Sequence, residues 1–171
     1  MKTLSRVIIR APQPGDCDEF ITAARRSRKL HGVWIQPKAT NKTDFVKYLA
    51  RFSSGRHCGF LVVERATDEI VGVININEII RGAFQSGSLG YYAFEPHAGK
   101  GLMREGMLLV VKHAFGKLKL HRLEANIQPG NHASVALVKK CGFVCEGLAR
   151  RLLKVRGRWR DHERWALLAE Q

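Results

Sequence analysis

No apolar run in this sequence reaches the roughly 18 residues that a membrane-crossing helix needs. The opening stretch MKTLSRVIIRAPQPGDCD has too short an apolar segment for a secretory leader. Both absences set the expectation of a cytoplasmic protein with no membrane partner. Cysteine is sparse: Cys17, Cys58, Cys141 and Cys145 form no C-x-x-C pair, so a zinc site of the usual tight ligand spacing is not expected, and reduced, structural thiols are. No repeat, low-complexity run or Pro/Gly/Ser linker divides the 171 residues. One domain over 1–171 is therefore expected, large enough to bury roughly 70% of its unfolded surface without staples. Most conspicuous is the shortage of acid: 15 Asp and Glu stand against 29 Lys and Arg, a formal net charge of +14. Such a surface attracts polyanions, whether nucleic acid, ribosomes or a phosphorylated ligand, or it is simply a solubilising face; charge alone speaks to association, not to a site.

What is present reads as an α+β fold. VIIR is a short strand. PGDCDEFITAARRSRKLH reads as one helix with Asp16 or Asp18 in its first turn, and TNKTDFVKYLARFSSG as a second, closed by Gly55. The period then changes to β-branched runs around a turn at Thr67-Asp68, a hairpin signal, followed by a strand in GSLGYYAFEP. GKGLMREGMLLVVKHAFGKL reads as a helix with Met103, Met107, Val110, Val111 and Ala114 on one face. LHRLEANI is a strand, and NHASVALVKKCG a short helix with Asn131 suited to its N-cap and Gly142 to its stop. Two strands joined near Arg156-Gly157 close the chain. The expected architecture is a mixed sheet with helices on both faces.

PHAGKGLMREG, from Pro96 to Gly106, carries a Gly-x-Gly turn between a strand and a helix. It is no Walker A loop, because Gly101 follows Gly99-Lys100 where Ser or Thr is required, and no dinucleotide fingerprint, because Arg104 stands where the third glycine belongs. A helix N-terminus still presents unpaired N–H groups and a partial positive charge, so it can hold a diphosphate. The competing reading is a plain turn with glycines for tightness.

Gly99-Lys100-Gly101-Leu102-Met103, LHRLEANIQPGNHAS, KKCGFVCEGLARR and GRWRDHERWAL, with GVININEIIRGAFQSGSLGYY, together resemble the GNAT acetyltransferase superfamily. Within it they look like the ribosomal-protein-alanine N-acetyltransferase (RimJ/RimL) branch. The resemblance is dense from about Ile70 to Leu168 and thin before it. It implies a GNAT-type, mostly antiparallel sheet of about seven strands and acetyl-CoA as cosubstrate, with no metal. It implies that backbone N–H groups of Ala98, Gly99, Lys100, Gly101, Leu102 and Met103 hold the coenzyme's pyrophosphate, although Pro96 stands where the family has Gln or Arg. The strand Tyr92-Ala93-Phe94 would bind the pantetheine arm through its main chain and stabilise the oxyanion. The rings of Tyr91 and Tyr92 are read as sheet packing.

Asn131, Ser134 and Val138 lie on one helix face. The resemblance implies that Asn131 holds pantetheine and that Ser134 meets the sulfur, while Val138 replaces the family's acidic tyrosine; the plain alternative is an N-cap with Ser134 at its third position. Leu153 stands where RimL-like members have a basic glutamate. Glu124 is the substitute candidate, with Glu78 and Glu95 behind it, and loss of the proton to water needs no base. His97, His113 and His121 show no metal spacing and are read as surface or packing residues. Lys139 and Lys140 either meet the 3′-phosphate or sit in solvent. RWRDHERW reads as a strand with alternating faces in preference to an RNA-binding stretch.

The function this implies is direct acetyl transfer, in a ternary complex, to a primary amine, foremost the α-amine of a protein N-terminus such as that of a ribosomal protein. The rivals are an acetyltransferase acting on a small amine (amino acid, polyamine or antibiotic) and a non-catalytic basic module binding RNA or ribosomes. Ribosome association through the basic surface and a monomeric or homodimeric state complete the expectations.

Overall fold

The computed structural model describes residues 4–35, 37 and 39–170. Its elements run β1 (Val7–Arg10), α1 (Cys17–Arg26), α2 (Arg28–His31), α3 (Lys42–Ala50), β2 (Cys58–Glu64), β3 (Ile70–Ile80), β4 (Ser86–Ala93), α4 (Leu102–Gly116), β5 (Arg122–Ile127), α5 (His132–Lys140), β6 (Val144–Val155) and β7 (Arg158–Leu168). The strands form a single seven-stranded sheet in the order β1-β2-β3-β4-β5-β7-β6. Every neighbouring pair is antiparallel except β4 and β5, which are parallel. The expected seven-stranded, mostly antiparallel sheet is thus what forms.

Hydrophobic residues on both faces of the central strands explain the three layers. Along β2, Leu61 and Val63 turn to the side of α1 and α3, while Phe60 and Val62 turn to the side of α4. Val71 and Val73 are two apart and should share a face, yet they lie in opposite clusters. The register shift opposite Val62/Val63 makes Val71 the extra residue of a bulge, which resets the alternation. On the first face Phe20 is fully buried, its ring centroid 5.1 Å from Phe45 and 5.4 Å, edge-on, from Phe94. Each such ring contributes about 1.5–3 kcal/mol by leaving water. On the second face Met107, Val110 and Ala114 of α4 are fully buried and Met103 nearly so, whereas Val111 lies at the margin.

Two local expectations are corrected. The segment PGDCDEFITAARRSRKLH is not one helix: it breaks at Ser27 into α1 and α2, preceded by a single 3₁₀ turn, Pro14–Asp16. The buried Ser27 hydroxyl donates to Ala23 O (2.7 Å) and accepts the Glu95 N–H (2.9 Å). A hydroxyl that bonds back to the previous turn loosens a helix, and here it also ties α1 to the segment that leaves β4. Asp16 does not cap α1 with its side chain. Its carboxylate is clamped by Arg10 at 2.7 and 2.8 Å and by the Gln13 N–H at 2.6 Å. Burial works against the charge, but these bonds outweigh it and hold the carboxyl below its usual range. The four cysteines are free thiols. The edge strand β6 carries Arg150, Arg151 and Lys154 on an almost wholly exposed surface, charge that discourages edge-to-edge pairing.

Candidate active site

The site begins where two strands part. The parallel ladder joins Ser86 to Leu89 with Arg122 to Ala125 and goes no further, although β4 continues to Ala93. β5 stays with β7 through Ile127, so a gap opens beside Tyr91, Tyr92 and Ala93. Register decides which backbone groups face it. The Phe94 N–H donates to Val71 O at 2.7 Å, on the β3 side. In an antiparallel ladder that direction alternates, so Tyr92 also turns to β3 while Tyr91 and Ala93 turn to the gap. Phe94 is therefore excluded as a main-chain donor: its N–H is committed, its carbonyl accepts the His97 N–H, and its ring is fully buried. The Ala93 carbonyl accepts Nε2–H of the buried His31 at 2.8 Å. Burial pushes the His31 pKa down, with that bond acting against it, and so favours the neutral ring.

Beyond β4 the chain enters the glycine turn. Gly99 (φ +78°) and Gly101 (φ +81°) both occupy the left-handed region, which costs glycine nothing and other residues more. A Cβ at Gly99 would meet nothing within 4 Å, so the turn is open on that side. Gly101 caps α4 without any side-chain hydrogen bond. Among the described residues, no acceptor takes the backbone N–H groups of Ala98, Gly99, Lys100, Gly101, Leu102 or Met103. Unpaired donors at the positive end of a helix of this length form a ready site for a diphosphate, and Lys100 and Arg104 add charge beside it. The turn is braced from below: Arg6 donates to Lys100 O (3.1 Å) and pairs with Glu105 (2.6 Å). These observations fit a pyrophosphate-bearing coenzyme.

Across the gap, α5 starts as expected. Asn131 Oδ1 accepts the Ser134 N–H at 3.2 Å, capping the helix. This leaves the Asn131 amide nitrogen without a protein partner among the described residues. Val138 is fully buried in the core. The Tyr91 hydroxyl lies 2.6 Å from Ser134 Oγ. Sequence reading assigned the Tyr91 ring to packing alone and missed this pair. Tyr91 and Tyr92 do pack on opposite faces, but the Tyr91 hydroxyl reaches α5. Burial pushes its pKa up to about 12, partly countered by the bond to Ser134. A phenol that keeps its proton donates to Ser134, which leaves the serine proton free to point into the gap.

The candidate bases are dispersed. Glu124 Oε1 is already held by Arg122 at 2.7 Å and Arg164 at 3.3 Å, which weakens its case as a free proton acceptor. Glu78 pairs with Arg56 at 2.7 Å, and Glu95 follows β4 at the turn. Lys139 lies over the Trp165 ring at 5.4 Å, a cation–π contact, whereas Lys140 is exposed. His113 packs edge-on against Phe60 and His121 is exposed; His97 is buried between Glu64 and Glu69. β7 does form a strand, but its faces do not alternate along the whole length: Arg158–Asp161 is exposed throughout, His162 is buried, and Trp165 and Ala166 are buried side by side.

A groove of ≈ 530 Å³ opens beside the start of α5, lined by Trp34, Gln128, Arg151, Trp159, Arg160 and Asp161 among others. Gln128 donates to Trp34 O at 3.2 Å, and Arg156 in the β6–β7 turn donates to Gly32 O. The groove therefore lies between the segment after α2 and the closing hairpin. Its walls carry arginine and tryptophan, with Asp161 as the carboxylate.

Comparison with known proteins supplies the frame. Relatives include a probable N-acetyltransferase, YjcK, from Bacillus subtilis, 39% identical over 71% of this chain and 67% of its own length. The [ribosomal protein uS5]-alanine N-acetyltransferase of Escherichia coli is 38% identical over 58% of this chain; the match spans only about half, 51%, of that relative. Among solved structures, Mycobacterium smegmatis RimJ in complex with CoA-disulfide superposes with a TM-score of 0.87 at 26% identity, covering 95% of this chain and 82% of that one. Vibrio cholerae spermidine N-acetyltransferase, in complex with CoA and spermine, shares the fold with a TM-score of 0.80 at 22% identity, covering 96% of each chain. The family described as "Acetyltransferase (GNAT) domain" matches residues 6–144. With the parted strands and the open glycine turn, that match identifies the chain as a member of the GNAT acetyltransferase family.

Proposed function

We propose that this protein transfers the acetyl group of acetyl-CoA directly to the α-amine of a protein N-terminus, such as that of a ribosomal protein. The open N–H groups of Ala98–Met103 support a diphosphate site there, and the outward N–H groups of Tyr91 and Ala93 suit main-chain pairing with the pantetheine arm. Bound acetyl-CoA supplies a thioester, whose acyl carbon accepts an amine as a thiol departs. The Asn131 amide would orient that arm. Ser134 would give its proton to the departing sulfur and recover it from Tyr91, which takes one back from water; the phenol's high pKa keeps the relay loaded at neutral pH. An outward N–H in β4 would meet the developing oxyanion. The incoming amine loses its proton to water in the open groove, since Glu124 is held by two guanidinium groups.

The single observation that carries the acceptor class is the groove wall. Trp34 and Trp159 offer flat surfaces to a peptide, and Arg151 and Arg160 offer charge to acidic residues downstream of its terminus. Asp161 keeps one oxygen for the α-ammonium while the other accepts the Arg151 N–H at 2.7 Å. Such a wall repels a polyamine. The test follows thiol release from acetyl-CoA with N-terminal peptides followed by acidic residues, spermidine and free amino acids as acceptors. Peptide turnover well above the small amines is expected. Turnover of small amines alone would overturn the protein-acceptor reading; no thiol release with any acceptor, together with steeply salt-dependent RNA binding, would favour a binding module.

A further inference from the structure

We propose that Glu64, Glu69 and His97 form a binding site for one divalent transition-metal ion of the Zn²⁺ class. The three residues come from separate places. Glu64 ends β2, Glu69 directly precedes β3, and His97 stands immediately before the glycine turn. One ligand atom from each lies within 4.8 Å of the other two.

The second observation is the state of His97. Its side chain is 3% exposed, and both ring nitrogens are buried without a hydrogen-bond partner. Burying a polar group with nothing to bind is unfavourable, so an occupant at the ring would stabilise the fold. Nε2 stands 3.3 Å from Glu69 and Nδ1 3.6 Å from Glu64. A charge-assisted N–H···O bond would draw in to about 2.7–2.9 Å. Ligands that each lie about 2.0–2.1 Å from a tetrahedral Zn²⁺ stand roughly 3.3 Å from one another. The spacing at Nε2 therefore suits a shared cation better than a shared proton. Glu64 Oε2 stands on the Nδ1 side, where it also accepts from Thr67 at 3.2 Å, and Glu64 supplies the third ligand atom within the 4.8 Å cluster. One imidazole and two carboxylates form a borderline donor set suited to Zn²⁺. A cleft of ≈ 310 Å³ lined by Asp18, Glu19, Glu69 and His97 reaches the site from solvent. Bound metal would clip the β2–β3 hairpin to the residue that opens the coenzyme turn.

The test uses full-length, chelator-treated protein in a Cys145→Ser background, which removes the exposed thiol. Titration with Zn²⁺ by calorimetry should show one site of micromolar affinity and raise the melting temperature, and Co²⁺ should give a visible d–d absorption band. Glu69 is 55% exposed at its side chain, so Glu69→Gln folds and should weaken binding roughly 100-fold. His97→Asn should abolish the Co²⁺ band. Glu78→Gln, at the distant pair with His57, should change neither. An anomalous peak between Glu64, Glu69 and His97 would complete the case. Absence of saturable binding, with both His97 nitrogens seen protonated by NMR, would overturn the proposal, as would binding that Glu69→Gln leaves untouched.

Discussion

Two surfaces of the molecule, the glycine turn and the arginine-lined groove, are built from different material. The glycine turn offers backbone N–H donors, set by two positive-φ glycines and the start of α4. The groove offers side chains: Trp34 from the segment after α2, Arg151 from β6, and Trp159, Arg160 and Asp161 from β7. A backbone site asks little of the residues that surround it, so Pro96 in place of Gln or Arg leaves the N–H donors of the turn as they are. A side-chain site changes its ligand with every substitution, which is how one fold serves a ribosomal-protein acetyltransferase and a spermidine acetyltransferase. The Tyr91–Ser134 pair belongs to neither kind: a strand and a helix each lend one hydroxyl.

Substitutions can break this contrast. Gly101→Val should act hardest. The left-handed φ penalises valine, whose Cβ would stand in ordinary contact, 3.4 Å, with Arg6 Nη2, while its branches crowd the face the anion would approach. Coenzyme affinity measured by calorimetry should fall on the order of 100-fold, about 2.7 kcal/mol, with circular dichroism unchanged. Lys100→Ala should cost only a fewfold, and an equal loss from both would mean that charge, not backbone, holds the anion. Ser134→Ala should lower kcat roughly 30-fold and Tyr91→Phe roughly 10-fold, below the usual span for general acids because a thiolate leaves readily. Neither should move the KM for acetyl-CoA, and the double variant should be no worse than Ser134→Ala if the two hydroxyls form one relay.

At the groove, Arg151→Glu with Arg160→Glu should raise the KM for acidic-sequence peptides about tenfold while coenzyme affinity stays put. A matching change in coenzyme affinity would show that the two surfaces are coupled. The smallest effect concerns His31, which links α2 to Ala93. Its folded pKa lies below the ordinary value of about 6.5 because it is buried. Below that pH the unfolded chain takes up a proton that the folded chain refuses. The contribution is complete above about pH 6.5 and declines as pH falls toward the folded pKa. His113, partly buried and near Lys117, acts with the same sign. Melting temperature should fall by a few degrees between pH 7 and 5, and His31→Gln should flatten that slope.

Local signals made much of this legible. Asn131 and Ser134 stand at capping distance, and Gly99-Lys100-Gly101 follows a strand and opens a helix, so the cap and the turn could be read from spacing. The Phe94 N–H could not, because only the β3–β4 register decides which amides face the gap. Tyr91 was equally hidden. Its hydroxyl meets a residue 43 positions away, and in the sequence it is indistinguishable from any aromatic in a buried strand. His97 gave no metal spacing because Glu64 and Glu69 reach it through a hairpin turn that brings distant sequence together. The break at Ser27 followed from a tertiary bond to Glu95 that no helix propensity encodes.

By itself, the sequence determined the order of strands and helices, the two-faced hydrophobic sheet and the glycine turn, because each follows from residues within a few positions of one another. The parting of β4 from β5, the choice of amides along it, the joining of Tyr91 to Ser134 and the arginine-lined groove were decided only in the folded chain. Each depends on which strand lies beside which, and that depends on closing loops tens of residues long against one shared core.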